Sequence, residues 1–262
     1  MAEAIDYKHI GSRPVRPDGV DKVTGRAEFG GDVSLPGMII GKILRSPHAH
    51  ARIKSIDITD ALAIPGVHAV ITGEDFPGGG ISGEIDGEGG GSISDQAKNV
   101  IARDKVLYHG HALAAVAAIS DRAADRALDA IKVEYEVLSP VLDILEAIDP
   151  DSVLVNENNY TKLPEKPDRP SNIANVGNLI RGDIQEGFGR ADVVIEREYV
   201  CPMTHQGYIE PHSCLASVDE EGKGTVWCST QGHFEFRNQT ASILKKNIAD
   251  LKFVAKEIGG GF

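Results

Sequence analysis

The segment between residues 112 and 137 constrains the fold more than any other. Residues 112–119 form a nearly unbroken apolar run, Ala-Leu-Ala-Ala-Val-Ala-Ala-Ile, the pattern of a strand buried on both faces. Ser120 or Asp121 can then cap a helix whose apolar stripe is Ala124, Ala127, Leu128 and Ile131. Beyond it Ile131, Val133, Tyr135 and Val137 alternate strictly with Lys132, Glu134 and Glu136, which predicts a half-buried strand. This strand–helix–strand module puts the chain among the mixed α/β folds and closes a first domain.

The flanking sequence supplies the rest of the organisation. Residues 1–36 read as an extended lead-in, with Pro, Gly and Asp making several turns from residue 13 onward. Strand-like apolar runs follow at 38–44, around 53–58, and at 67–72, where Gly73 ends the last. From Gly73 to Ser94 there are nine glycines in 22 residues, too few apolar groups to bury, so a flexible excursion is expected. Its Gly78-Gly79-Gly80 and Gly89-Gly90-Gly91 runs lack the G-K-[ST] ending of a phosphate loop. The domain holding the module is thus expected over 37–148. Residues 149–182, rich in Asp, Asn, Pro and Lys, read as a linker or surface crossing. A second domain over 183–262 is expected to hold strands at 193–200, 213–218 and 225–230, with a turn at 220–224 between the last two. A helix then carries Phe236, Thr240, Ile243 and Leu244 on one face, and a final strand with Leu251, Phe253 and Ala255 runs into terminal glycines.

Charge narrows the partner classes. The net charge is −12 and the isoelectric point near 5.2, which argues against nucleic acid, because phosphate neutralisation needs clustered Lys and Arg. Lys245-Lys246 is too small a cluster and reads as a solvated helix face. The cysteines, Cys201, Cys214 and Cys228, are odd in number and have no C-x-x-C spacing, so neither a disulfide framework nor a zinc site is expected. No apolar stretch approaches the roughly 18 residues of a membrane span, and the first residues carry no signal pattern. A reducing cytoplasm is the expected setting.

Four motifs carry candidate chemistry. In Gly259-Gly260-Gly261-Phe262, glycines directly after a strand let the backbone approach a bound group, and their N–H groups can donate to anionic or oxo ligands. Gln231 follows the strand at 225–230, at a strand end of the kind where α/β folds place ligand contacts, and its amide donates and accepts without charge. His205, Glu210 and His212 are plausible ligands, but their spacing matches no zinc pattern such as H-E-x-x-H. Glu210 is as readily a backbone-capping or hydrogen-bonding residue as a catalytic base. His48 and His50 are two apart with no third ligand near, and are expected as partly exposed imidazoles at a strand end or turn.

Taken in order, these segments resemble the molybdenum-binding large subunit of the xanthine dehydrogenase and aldehyde oxidase family. The run from Asp21 through Lys-Val-Thr-Gly-Arg-Ala-Glu-Phe-Gly-Gly-Asp to Met38 is similar to that family's entry into its α/β hammerhead domain. Leu44-Arg-Ser-Pro-His-Ala-His-Ala-Arg-Ile53 and Pro65-Gly-Val-His-Ala-Val70 continue the likeness. Gly207-Tyr-Ile-Glu-Pro-His212, Trp227-Cys-Ser-Thr-Gln231 and Glu257-Ile-Gly-Gly-Gly-Phe262 resemble the opening of the cofactor-binding domain. One departure is Gly110-His111-Ala112, where many members carry Gly-Glu-Pro or Gly-Gln-Pro.

The resemblance implies a hammerhead domain followed by the first part of a mixed α/β molybdopterin-binding domain. It implies hydroxylation of an aldehyde, N-heterocycle or related small molecule with water as the oxygen source, on a molybdenum-bearing pterin. Electrons would leave through two [2Fe–2S] clusters to FAD, carried by iron–sulfur and FAD subunits. Gln231 matches the family's glutamine that hydrogen-bonds an oxo ligand. Gly260, Gly261 and Phe262 match the loop beside the metal, and no side chain here ligates the metal directly. Glu210 does not match the family's base glutamate, which is expected in a remaining molybdopterin-binding polypeptide, so the isolated chain is expected to be inactive. The alternatives are a non-catalytic assembly subunit of such a complex and a metal module built on His205 and His212.

Overall fold

The computed structural model describes residues 7–77, 84–85 and 91–261. In chain order a short helix α1 (Gly19–Thr24) leads to strands β1 (Ile40–Arg45) and β2 (Ala51–Asp57), helix α2 (Thr59–Leu62) and strand β3 (Val67–Thr72). The two-residue strands β4 (Glu84–Ile85) and β5 (Gly91–Ser92) pair antiparallel. Helix α3 (Ile93–Asn99), strands β6 (Lys105–Val106) and β7 (Ala112–Ala118), helix α4 (Asp121–Ala130), strand β8 (Lys132–Val137) and helix α5 (Ile144–Ile148) come next. Helix α6 (Ile184–Arg190), strands β9 (Cys214–Val218) and β10 (Gly224–Ser229), helix α7 (His233–Leu244) and strand β11 (Leu251–Lys256) complete it. Half of the glycine-rich excursion, including Gly78, Gly79, Gly80, Gly89 and Gly90, lies outside the described residues. The chain divides into two compact units, one of Gly37–His205 and one of Met1–Pro36 with Gln206–Phe262.

The unit Gly37–His205 is organised around β7. This strand lies between β1 and β3 in an antiparallel sheet, and its Leu113, Ala114, Val116 and Ala118 are buried. The reason for so many alanines is α4, which packs on β7 and β1 through buried Ala123, Ala124 and Ala127. Small side chains on both surfaces bring helix and sheet close, at interior packing density. Of the two candidate caps Ser120 is the one used, its Oγ accepting from Ala123 N at 3.3 Å.

The strand after α4 does not return to the sheet that α4 covers. β8 pairs antiparallel with β2, which also pairs with β6, in a second three-stranded sheet. The module therefore joins two sheets. Val133 and Tyr135 face a small cluster of Ala51, Ala102, Val106 and Leu113. Val137, expected inside, is 61% exposed at the strand's end.

Two histidines of this unit are more enclosed than the sequence suggests. His50 is a correction, being only 2% exposed. Its Nδ1–H donates to Ser139 O at 2.7 Å, so the long-range approach of residue 139 buries the ring. His48, in the same turn, is half-buried with its ring against Tyr135, centroids 4.8 Å apart. His111 is fully buried. Its Nδ1 accepts from Leu107 N at 3.3 Å, which leaves Nε2–H to donate to Asn99 O at 2.8 Å. The imidazole of the divergent Gly110-His111-Ala112 turn is thus a neutral cross-link between the end of α3 and β7.

Residues 149–175 are held by side-chain contacts and by a backbone bridge between Lys162 and Asn175 rather than by strands. Asn172 Oδ1 accepts from Val155 N at 2.9 Å, and Glu157 pairs with Lys105 at 2.9 Å and Arg52 at 3.3 Å. The strand expected over 193–200 is absent. Val193, Val194, Ile195, Tyr199 and Val200 are exposed, and among the described residues no strand pairs with them. Alternation marks a face to be covered, but a strand also needs a hydrogen-bonding neighbour.

In the unit of Met1–Pro36 with Gln206–Phe262, β10 is central. It pairs antiparallel with β9 and parallel with β11, and α7 makes the crossover that a parallel pair requires. The tight turn between β9 and β10 is built by Asp219, whose Oδ1 accepts from Glu221 N at 3.0 Å and Lys223 N at 2.8 Å. Gly222 there has φ +81°, a conformation that excludes most side chains.

The segment around residues 28–32 belongs to this same unit. Glu257 N donates to Glu28 O at 3.0 Å, and Phe29 bridges Glu257 in parallel. Gly30 N donates to Ser229 Oγ at 2.9 Å. A Cβ on Gly30 would stand 2.8 Å from Ser213 O, so only glycine fits.

Candidate cofactor site at the carboxyl ends of β10 and β11

Because β10 and β11 are parallel, both leave the sheet at one edge. In open α/β sheets that edge is where ligands bind. β10 leads into Thr230-Gln231, and β11 leads through Glu257 and Ile258 into Gly259, Gly260 and Gly261. Gln231 Nε2 donates to Gly261 O at 3.3 Å across 30 residues of sequence. Buried Thr230 fixes the turn behind it, its Oγ1 accepting from Gly232 N at 3.1 Å.

The glycines are held individually. Gly261 has φ +69°, and a Cβ there would sit 3.8 Å from Gln231 Oε1, so the strain against substitution is in the backbone rather than in crowding. Gly259 N donates to Glu210 Oε2 at 2.6 Å. A Cβ on Gly259 would lie 2.6 Å from that same oxygen. Gly259, Gly260 and Gly261 are themselves exposed at the edge. Phe262, the fourth residue of the expected loop, lies outside the described residues.

Of the two uses left open for Glu210, the structure displays the hydrogen-bonding one. His212 packs against Tyr208, ring centroids 5.1 Å apart. Among the described residues no group of three or more His, Cys, Asp or Glu is placed to hold a metal ion. That geometry lends no support to a metal module on His205 and His212. Cys201, Cys214 and Cys228 are free, and Cys214 stands opposite Cys228 across β9 and β10.

The part that sequence reasoning missed is the support behind the loop. Lys22, from α1, pairs with Glu257 Oε2 at 2.6 Å and donates to Ile258 O at 3.1 Å. Glu28 pairs with Lys256 at 2.6 Å. No local pattern signals these contacts, because each spans more than two hundred residues.

Comparison with known proteins agrees with the geometry. Residues 24–139 match the aldehyde oxidase and xanthine dehydrogenase a/b hammerhead domain, and residues 165–262 match the molybdopterin cofactor-binding domain. The chain belongs to the xanthine dehydrogenase and aldehyde oxidase family. It is an α/β hammerhead domain followed by molybdopterin-binding-domain sequence, mixed α/β throughout.

Within that family it is 34% identical over 248 residues to a probable xanthine dehydrogenase subunit of Bacillus subtilis, covering 95% of this chain and 30% of that protein. It is 33% identical to the nicotinate dehydrogenase large molybdopterin subunit of Eubacterium barkeri, covering 98% of this chain and 56% of that subunit. The crystal structure of quinoline 2-oxidoreductase from Pseudomonas putida 86 superposes with a TM-score of 0.76 at 26% identity, covering 99% of this chain and 32% of that one. The chain thus spans between about a third and somewhat over half of these relatives. Among the described residues no helix is long and apolar enough to cross a membrane.

Proposed function

We propose that this chain forms one wall of the molybdopterin site of a molybdenum hydroxylase, acting on an aldehyde, N-heterocycle or related small molecule. The observation that carries the reading is the meeting of Gln231 with Gly261 at the shared carboxyl edge of β10 and β11. The residues fit such a group. Gln231 is a neutral amide whose Nε2 bears two hydrogens, of which the Gly261 carbonyl takes one, and a second can be offered to an oxo ligand. Gly260 and Gly261 bring backbone without side chains to the same edge, and Phe262 continues that run in sequence. When bound, the cofactor supplies the redox centre at which substrate is hydroxylated with water as oxygen source. The chain's own share is to orient that centre through uncharged donors, which hold an oxo group without adding a competing charge.

We assign the base glutamate of such an enzyme to a remaining molybdopterin-binding polypeptide. Leu179, Ile180, Tyr199, Val200 and Met203 are exposed, and a partner that covers them belongs to the same reading. Iron–sulfur and FAD subunits then carry electrons away. The boundaries 37–148 for the hammerhead domain and 183–262 for the cofactor-binding region, a cytoplasmic setting and inactivity of the chain alone belong to the same reading.

The deciding experiment is to purify the chain with its natural partners and assay molybdenum and pterin. Near-stoichiometric molybdenum, lost on Gln231→Ala with the complex intact, is the expected outcome. An intact complex that never contains molybdenum overturns the reading in favour of a non-catalytic assembly subunit.

A further inference from the structure

The carboxylate of Glu210 stands out because half of it is committed and half is hidden. Oε2 accepts the Gly259 N–H at 2.6 Å across 49 residues of sequence. Among the described residues Oε1 is buried with no hydrogen-bond partner. With one oxygen shut away from solvent, the carboxylate makes its contact through Oε2. The fit is also mutual, since a Cβ on Gly259 would lie 2.6 Å from Oε2 and 3.1 Å from Glu210 Cβ.

Glu210 completes a series of contacts on consecutive residues. Glu257 is held by Glu28 O and Lys22, Ile258 O by Lys22, and Gly259 N by Glu210. Only then does the chain reach Gly261 and Gln231. Three successive glycines have more conformational freedom to lose than any other tripeptide. A loop built from them presents its N–H groups in one direction only if its base is fixed. Glu210 makes the last of these contacts before the loop turns out to the edge.

We propose that Glu210 is a positioning residue for the glycine loop, fixing Gly259 so that Gly261 meets Gln231 and the loop's backbone faces the molybdopterin. The proposal rests on the reading of this edge as a molybdopterin wall. It assigns no acid–base role to the carboxylate, which acts only through the loop.

The test uses the whole complex and compares Glu210→Ala, Glu210→Gln and Gly259→Ala by two readouts. Hydrogen–deuterium exchange of the peptide spanning 257–261 reports the loop, and molybdenum and pterin content report cofactor retention. Glu210→Ala should raise exchange in that peptide and lower both contents several-fold. Glu210→Gln should restore both, because a glutamine oxygen still accepts the Gly259 N–H. Gly259→Ala should behave like Glu210→Ala, and it keeps the test open if the alanine variant of Glu210 fails to assemble. Unchanged loop exchange in Glu210→Ala, or loss of the loop in Glu210→Gln as complete as in Glu210→Ala, overturns the proposal. Loosened exchange with full molybdenum content overturns the link to the cofactor. A wild-type complex without molybdenum defeats the site reading alone, and the exchange comparison still decides whether Glu210 holds the loop.

Discussion

His111 carries a polar ring into the deepest part of the hammerhead unit. It is fully buried, and both ring nitrogens are satisfied only by the neutral form that accepts from Leu107 and donates to Asn99. Burial pushes its pKa below the ordinary 6.5, with the Asn99 contact opposing. A depressed folded pKa means the unfolded chain binds the proton first. The stability is therefore present above about 6.5 and is lost as pH falls through the folded value. The midpoint of urea unfolding of this unit should drop as pH is lowered through that range. His111→Phe should abolish this slope while lowering stability at neutral pH by about 2 kcal/mol, because two buried backbone groups lose partners. A slope unchanged in His111→Phe would show that other groups control the acid response. At this scale, too, chemical type misleads without environment. His50 reads as a partly exposed imidazole and is buried, while Glu210, open to two uses, is tied to a backbone amide.

Among the elements, α4 shows how local and tertiary signals divide. Its cap, its small-residue stripe and the strands on either side are all legible in the stretch 112–137, since capping and periodicity act within a turn or two. Which of two adjacent residues caps is decided by geometry, and it is Ser120. Ser120→Ala should lower stability by about 1 kcal/mol. Asp121→Ala should lower it by less, since its ion pair with Lys42 is largely exposed. Urea denaturation of the two variants checks the order, and a reversal would mean that Asp121 is the functional cap. The segment at 193–200 makes the complementary point. Its apolar residues predict a strand as those of β8 do, yet it forms none, because β8 has β2 beside it and 193–200 has no strand paired with it among the described residues.

For the molecule as a whole, the consequential feature is that residues 7–36 belong to a compact unit whose other residues begin at 206. Gly30 is wedged against Ser213 and Ser229, and Glu28 and Lys22 hold the end of β11. Gly30→Val should therefore destabilise the unit of Met1–Pro36 with Gln206–Phe262 by about 2 kcal/mol or more, leaving Gly37–His205 unaffected. Hydrogen exchange resolved by peptide distinguishes the units. Loosening confined to Gly37–His205 would contradict this assignment.

The sequence by itself determined the buried strand, the helix behind it, the alternating strand after it, and the glycine run that follows the last strand. Those are properties of neighbouring residues, expressed through periodicity, capping and the missing Cβ of glycine. Only the tertiary structure decided that β7 and β8 lie in different sheets, that His50 and His111 are interior, and that Lys22, Glu28 and Glu210 hold the loop from far along the chain. The physical reason is the same in each case. A sequence pattern shows which face of an element must be covered, and the partner that covers it is chosen by the packing of residues that the pattern does not contain.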